Sequence, residues 1–182
     1  MNSVGSNELS VAYGSRSVST GVGSSALGGL SSATGDGSTA VGVFANASGG
    51  NALSVGQRAE ATADQASAFG QRAIASGQNS TAVGQTAEAR QTGATSLGSL
   101  ALADGQSASS FGFQAQARNS NATTIGGEAT ASGVSSTAVG YRSISSGESS
   151  TSVGAVASAS GIGAVAIGTS ASASQTSSTA IG

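Results

Sequence analysis

A glycine stands at every fourteenth position from Gly14 to Gly182 without a miss, and the residue before each one is apolar or aromatic. Those preceding residues are Tyr13, Leu27, Val41, Val55, Phe69, Val83, Leu97, Phe111, Ile125, Val139, Val153, Ile167 and Ile181. Thirteen units of 14 residues account for all 182 positions, so the expected organisation is one repeat domain over residues 1–182. Fixed-period self-similarity is the mark of a solenoid, in which each unit buries its apolar face against its neighbours. With 29 glycines, no proline and 3% aromatic residues, the composition would otherwise suggest disorder. Disorder, however, does not hold an apolar residue in register.

Positions are conveniently numbered as phases counted from the periodic glycine. The five residues ending in that glycine, such as Ser80-Thr81-Ala82-Val83-Gly84, alternate small and β-branched side chains and read as a strand. No charge falls on it, so both of its faces are expected to be buried. The second half of the unit alternates alanine with long or polar residues, as in Ala59-Glu60-Ala61 and Ala87-Glu88-Ala89-Arg90, and reads as a half-exposed strand. A further glycine at phase 7, as at Gly21, Gly35, Gly49 and Gly147, marks the other turn, where positive φ is the expected reason for glycine. Ala63, Gln91, Asn119 and Gln175 replace it in four units, where a looser turn is expected. Every charged residue falls at phase 2, 4, 6 or 8. One strand face and its turns therefore meet solvent.

Two short strands and two turns per unit close a coil. Successive coils pair as parallel strands about 4.8 Å apart, which predicts a rod of roughly 60 Å with Ser, Thr and Asn ladders along it. Large apolar side chains are scarce. A fully buried Val or Leu contributes only about 1.5–3 kcal/mol, against roughly 1–2 kcal/mol per residue for ordering the backbone. One chain is thus expected to gain stability by packing against copies of itself.

The unit Ser-x-Ala-(Val/Ile)-Gly-x-x-Ala-x-Ala-x-Gly, best seen in Asn79-Ser80-Thr81-Ala82-Val83-Gly84-Gln85-Thr86-Ala87, resembles the head repeat of trimeric autotransporter adhesins, the YadA-like head. The resemblance covers essentially the whole chain. It implies an all-β fold: a left-handed parallel β-roll, three chains of which pack in parallel as a homotrimer about a threefold axis. The uncharged strand would face the trimer centre. Val41, Val55, Val83, Ile125, Val139, Val153, Ile167 and Ile181 would then fill either the roll core or the trimer interface. The neck, stalk and membrane anchor of that family have no counterpart here. The chain is expected to be an internal fragment of an exported protein on the bacterial outer membrane, touching membrane only through absent parts of its parent.

The residues do not point to catalysis. There is no His or Cys, and eight carboxylates on the solvent side leave no nucleophile–base pair. No cofactor or metal is expected, since Gly35-Asp36-Gly37 is a lone match to the calcium-binding nonapeptide pattern and reads better as a turn. A net charge of −2 gives no basis for nucleic-acid binding. Adhesion to host extracellular matrix or a cell-surface ligand is the leading reading, with weak contacts multiplied by avidity. Its candidate contacts are Arg58, Glu60, Arg72, Glu88, Arg90, Arg118 and Arg142, with Arg58 and Arg72 forming a short basic ladder. The same residues would serve equally as solubilising charges. A structural spacer lifting a separate binding tip is the alternative. An ice-binding solenoid ranks below it, because its Thr column lies on the strand expected to be buried.

Overall fold

A computed structural model describes residues 3–182 and contains strands and turns only. The residues fall into two compact units, one ending at Gly93 and the other spanning Ala94–Gly182. Each unit is a parallel solenoid in its own right, with two strands per coil. A three-residue strand precedes each periodic glycine, and a two-residue strand follows it. In the first unit the three-residue strands run from Val11–Tyr13 to Thr81–Val83 and form a front sheet. The two-residue strands, Val4–Gly5 to Glu88–Ala89, form a back sheet. In the second unit the front sheet runs from Thr95–Leu97 to Thr179–Ile181 and the back sheet from Leu102–Ala103 to Ser172–Ala173. Every pairing is parallel with a shift of one repeat, as in Ser67↔Thr81, Ala68↔Ala82 and Phe69↔Val83. The sequence period is therefore the sheet register.

The interior between the sheets is lined by small side chains. Ala45, Ala47, Ala52 and Ser54 are fully or almost fully buried, and so are their equivalents Ala129, Ala131, Ser136 and Ala138. The largest fully buried side chain is Thr124. With a roll this narrow, the residue before each periodic glycine has no room inside. Alternation along the strand puts phase 12 inward and phases 11 and 13 outward. Val41, Val55, Val83 and Val139 are accordingly half-buried on the outer face of the front sheet, and Ile125, Val153 and Ile167 are exposed there. Ile181 is 78% exposed. Within the chain only one face of this strand is buried, against the expectation for both. The Thr column at phase 11, including Thr123, Thr137 and Thr151, likewise lies half-exposed on the outside.

Both turns close with a backbone hydrogen bond from the fourth residue to the first. The Ser17 N–H donates to the Gly14 carbonyl at 3.3 Å, and the Ser24 N–H to the Gly21 carbonyl at 3.2 Å. The third residue of each turn has positive φ, the arrangement of a type II turn. That residue is often not glycine: Leu30, Phe44, Arg58, Arg72 and Val156 all hold φ between 56° and 60°. The phase-7 glycines, by contrast, are not at positive φ, so conformational freedom does not explain them. A Cβ on Gly147 would lie 2.0 Å from the Gly161 carbonyl oxygen of the next coil. Close approach of stacked turns is the cause. The periodic glycines meet both demands, as at Gly154, with φ of 135° and a Cβ that would lie 2.4 Å from the Gly168 carbonyl oxygen.

Buried hydroxyls do not form ladders up the stack. They turn back within their own coil, as when Ser136 Oγ donates to the Gly133 carbonyl and Ser150 Oγ to the Gly147 carbonyl, both at 2.7 Å. Across the roll, Ser19 pairs with Ser24 at 2.6 Å and Ser145 with Ser150 at 2.7 Å. Where an inward hydroxyl is bonded, its partner lies within five residues along the chain and not one coil away. The hydroxyls of Ser38, Ser80, Ser96, Thr124 and Ser152 have no partner.

Candidate functional site

No charged side chain is buried, and charge is confined to the outer face of the back sheet and to the turns. The back-sheet strand supplies phases 4 and 6 outward because alanine or serine at phases 3 and 5 fills the interior. The first turn supplies phases 1 and 2. These placements make the outside of each unit a set of columns, each adding one residue per coil.

The candidate arginines divide by what they touch. Arg90, just past the back-sheet strand Glu88–Ala89, pairs with Glu88 at 2.6 Å. Arg142 donates Nε–H to Glu128 one coil away at 2.7 Å and also lies over the Tyr141 ring, 5.2 Å from its centre. The Glu128 carboxylate, through that hydrogen bond first and its charge second, raises the Arg142 pKa above its ordinary value. Arg118 donates to the neutral Gln116 side chain. Arg58 rests over the Phe44 ring at 5.5 Å, and neither it nor Arg72 enters an ion pair among the described residues. Glu60 is exposed two positions along from Arg58 and makes no ion pair with it. Arg58 and Arg72 occupy the same turn position in successive coils, so the basic ladder consists of two uncompensated cations.

Beside them runs a second column that charge alone does not reveal. Gln71 Nε2–H donates to Gln57 Oε1 at 2.9 Å, and Gln85 Nε2–H to Gln71 Oε1 at 3.1 Å. The backbone holds these turns in line, with the Arg72 N–H on the Gln57 carbonyl at 3.0 Å and the Thr86 N–H on the Gln71 carbonyl at 2.9 Å. Glutamine at spacing 14 in three successive coils is the signal that would have found it. In the other turn, Asp36 and Asp64 accept backbone N–H bonds from the preceding coil, at Val22 (2.9 Å) and Gly50 (2.8 Å). These two carboxylates act as turn braces.

Among the described residues no group of three His, Cys, Asp or Glu side chains comes together, and no helix is long and apolar enough to cross a membrane. A family model described as the YadA head domain repeat, two copies to a match, covers residues 19–45, 47–73, 75–101, 131–157 and 159–182. The crystal structure of the collagen-binding domain of the Yersinia adhesin YadA is similar with a TM-score of 0.49 at 25% identity. That similarity spans 82% of this chain and 68% of the other. Comparison with curated proteins finds no match.

Proposed function

The chain belongs to the family of YadA head-domain repeats, a family of bacterial surface adhesins rather than enzymes, and from that premise we propose that it forms the head of a trimeric adhesin. Three copies pack through the outer faces of their front sheets, and the back sheets and turns meet host extracellular matrix or a cell-surface ligand.

One observation carries this reading: the asymmetry between the two outer faces. The front face shows Thr and Ser at phase 11 beside Leu97, Phe111, Ile125 and Val153, all between 36% and 47% exposed, and bears no charge. A contiguous apolar surface on a chain whose interior holds nothing larger than threonine marks an interface. Isolated, each roll leaves its bulkiest apolar groups in water. Paired, it gains the core that the Ala-lined interior does not supply.

The test is light scattering on the fragment together with binding to immobilised matrix proteins. A mass near three times 16.9 kDa and saturable binding are expected. A folded monomer would refute the assembly, and a trimer that binds no matrix or cell surface would refute the adhesive role.

A further inference from the structure

We propose that the turn ridge of Gln57, Arg58, Gln71, Arg72 and Gln85 is a binding site for an extended acidic polysaccharide, sulfated or carboxylated. The inference rests on the adhesin reading and names the chemical class that this part of the head recognises.

Three features of the ridge converge on that ligand. Arg58 and Arg72 are the neighbouring cations that no carboxylate neutralises, while Arg90 and Arg142 are already paired. A guanidinium held by its face against an aromatic ring, as Arg58 is against Phe44, keeps its N–H fork for a planar anion. The amide ladder adds neutral polar recognition. Gln71 uses one Nε2–H and one Oε1 lone pair within the ladder, which leaves a second donor and a second acceptor for ligand hydroxyls. An array that both donates and accepts suits a polyol better than it suits phosphate.

Spacing selects among polyanions. The ridge repeats once per coil, about 4.8 Å, close to the advance per ring of an extended pyranoside chain. Successive sugars thus meet equivalent Gln-Arg pairs. An extended acidic peptide presents one face only every second residue, roughly 6.6 Å, and falls out of register at once. A single-stranded nucleic acid needs stacking platforms along its path, and Phe44 stands at one end of the ridge only. The turns are tied coil to coil by backbone hydrogen bonds, so the array is organised before ligand arrives and little ordering cost attends binding.

The test is binding of the whole chain to immobilised heparin, dextran sulfate and neutral dextran at low and physiological salt, followed by biolayer interferometry. Polyglutamate serves as the peptide comparison. The chain should bind both sulfated polymers, weaken steeply with salt, and ignore neutral dextran. R58Q/R72Q should lose more than about tenfold in affinity, since two charge-assisted contacts go, and Q71A about threefold. R16Q removes the same charge from the same turn outside the ladder and should stay within about twofold; far-UV spectra check that each variant folds. Loss in R16Q equal to that in R58Q/R72Q, or equal binding to polyglutamate, would show charge alone at work and overturn the site. So would absence of binding at low salt. Adhesion to matrix-coated surfaces is measured in parallel. Matrix binding without polysaccharide binding sinks this inference and leaves the adhesin standing, whereas loss of both sinks the two together.

Discussion

Replacing Gly163, Gly147 and Gly154 by alanine, one at a time, separates two reasons for glycine within one stretch of the solenoid. Gly163 has φ of 63°, and a Cβ there would meet nothing nearer than Ser177 Oγ at 3.9 Å. Its substitution carries the left-handed conformational cost of about 1–2 kcal/mol, offset by about 0.4–1 kcal/mol from a stiffer unfolded chain. The net loss is about 1 kcal/mol or less. Gly147 is not at positive φ, but its Cβ would lie 2.0 Å from the Gly161 carbonyl oxygen. Relieving that overlap moves backbone, at about 1–3 kcal/mol by analogy with overpacked cores. Ala63 at the equivalent place in another coil shows that a turn can be built around a methyl, which keeps the cost within that range. Gly154 combines φ of 135° with a Cβ 2.4 Å from the Gly168 carbonyl oxygen. A Gly-only backbone region adds about 1–3 kcal/mol, for a total of about 4 kcal/mol. At about 2–4 °C per kcal/mol for a chain of this size, G154A should lower Tm by roughly 8–16 °C and G163A by less than about 4 °C. Thermal melts followed by far-UV circular dichroism at one protein concentration measure this, the concentration being fixed because self-association shifts Tm. If G163A costs as much as G147A, the close-approach explanation of the phase-7 glycine is wrong.

Three further outcomes follow from the same geometry. Thr124→Val and Ser152→Ala each remove a buried hydroxyl without a partner and should raise stability by about 1 kcal/mol in urea titrations; destabilisation would mean that those hydroxyls are bonded. Val156→Gly relieves a β-branched residue at φ of 58°, so Tm should rise by the equivalent of about 0.5–1 kcal/mol, the left-handed cost less the entropy of glycine. Val139→Asp places a charge on the outer front face, where the side chain is half-buried in the single chain. It should drop the solution mass from trimer to monomer with the β-sheet spectrum kept, and an unchanged mass would show that the front face is not the interface.

Much of this fold can be read along the chain, because parallel stacking turns a sequence period directly into a register. Ser67, Thr81 and their equivalents are partners simply by being 14 apart, and the charge phases locate the solvent side. Three matters were hidden. Periodicity puts Val83 and Ala82 on opposite faces but does not say which is interior; the width of the roll decides, and it follows from how closely two alanine-lined sheets approach. The left-handed turn residues Leu30, Phe44 and Val156 carry no glycine to announce them, since the coil-to-coil hydrogen bonds impose the conformation whatever the side chain. The candidate arginines look alike in sequence, and only side-chain placement parts Arg58 and Arg72 from the neutralised Arg90 and Arg142. The glutamine column was legible at spacing 14 but carries no charge to draw notice.

The interior of nearly interchangeable small side chains has a consequence for how such a chain changes over generations. Where cores interlock, losing a segment leaves a hole that the remainder must refill. Here each coil presents to its neighbours the same alanines, serines and carbonyls that it receives from them, so removing or duplicating 14 residues joins surfaces that already match. Recombination between repeats can alter the number of coils without passing through an unfolded intermediate sequence. The outward columns are meanwhile free to drift one coil at a time, and ligand recognition can be rewritten over a scaffold that does not register the change.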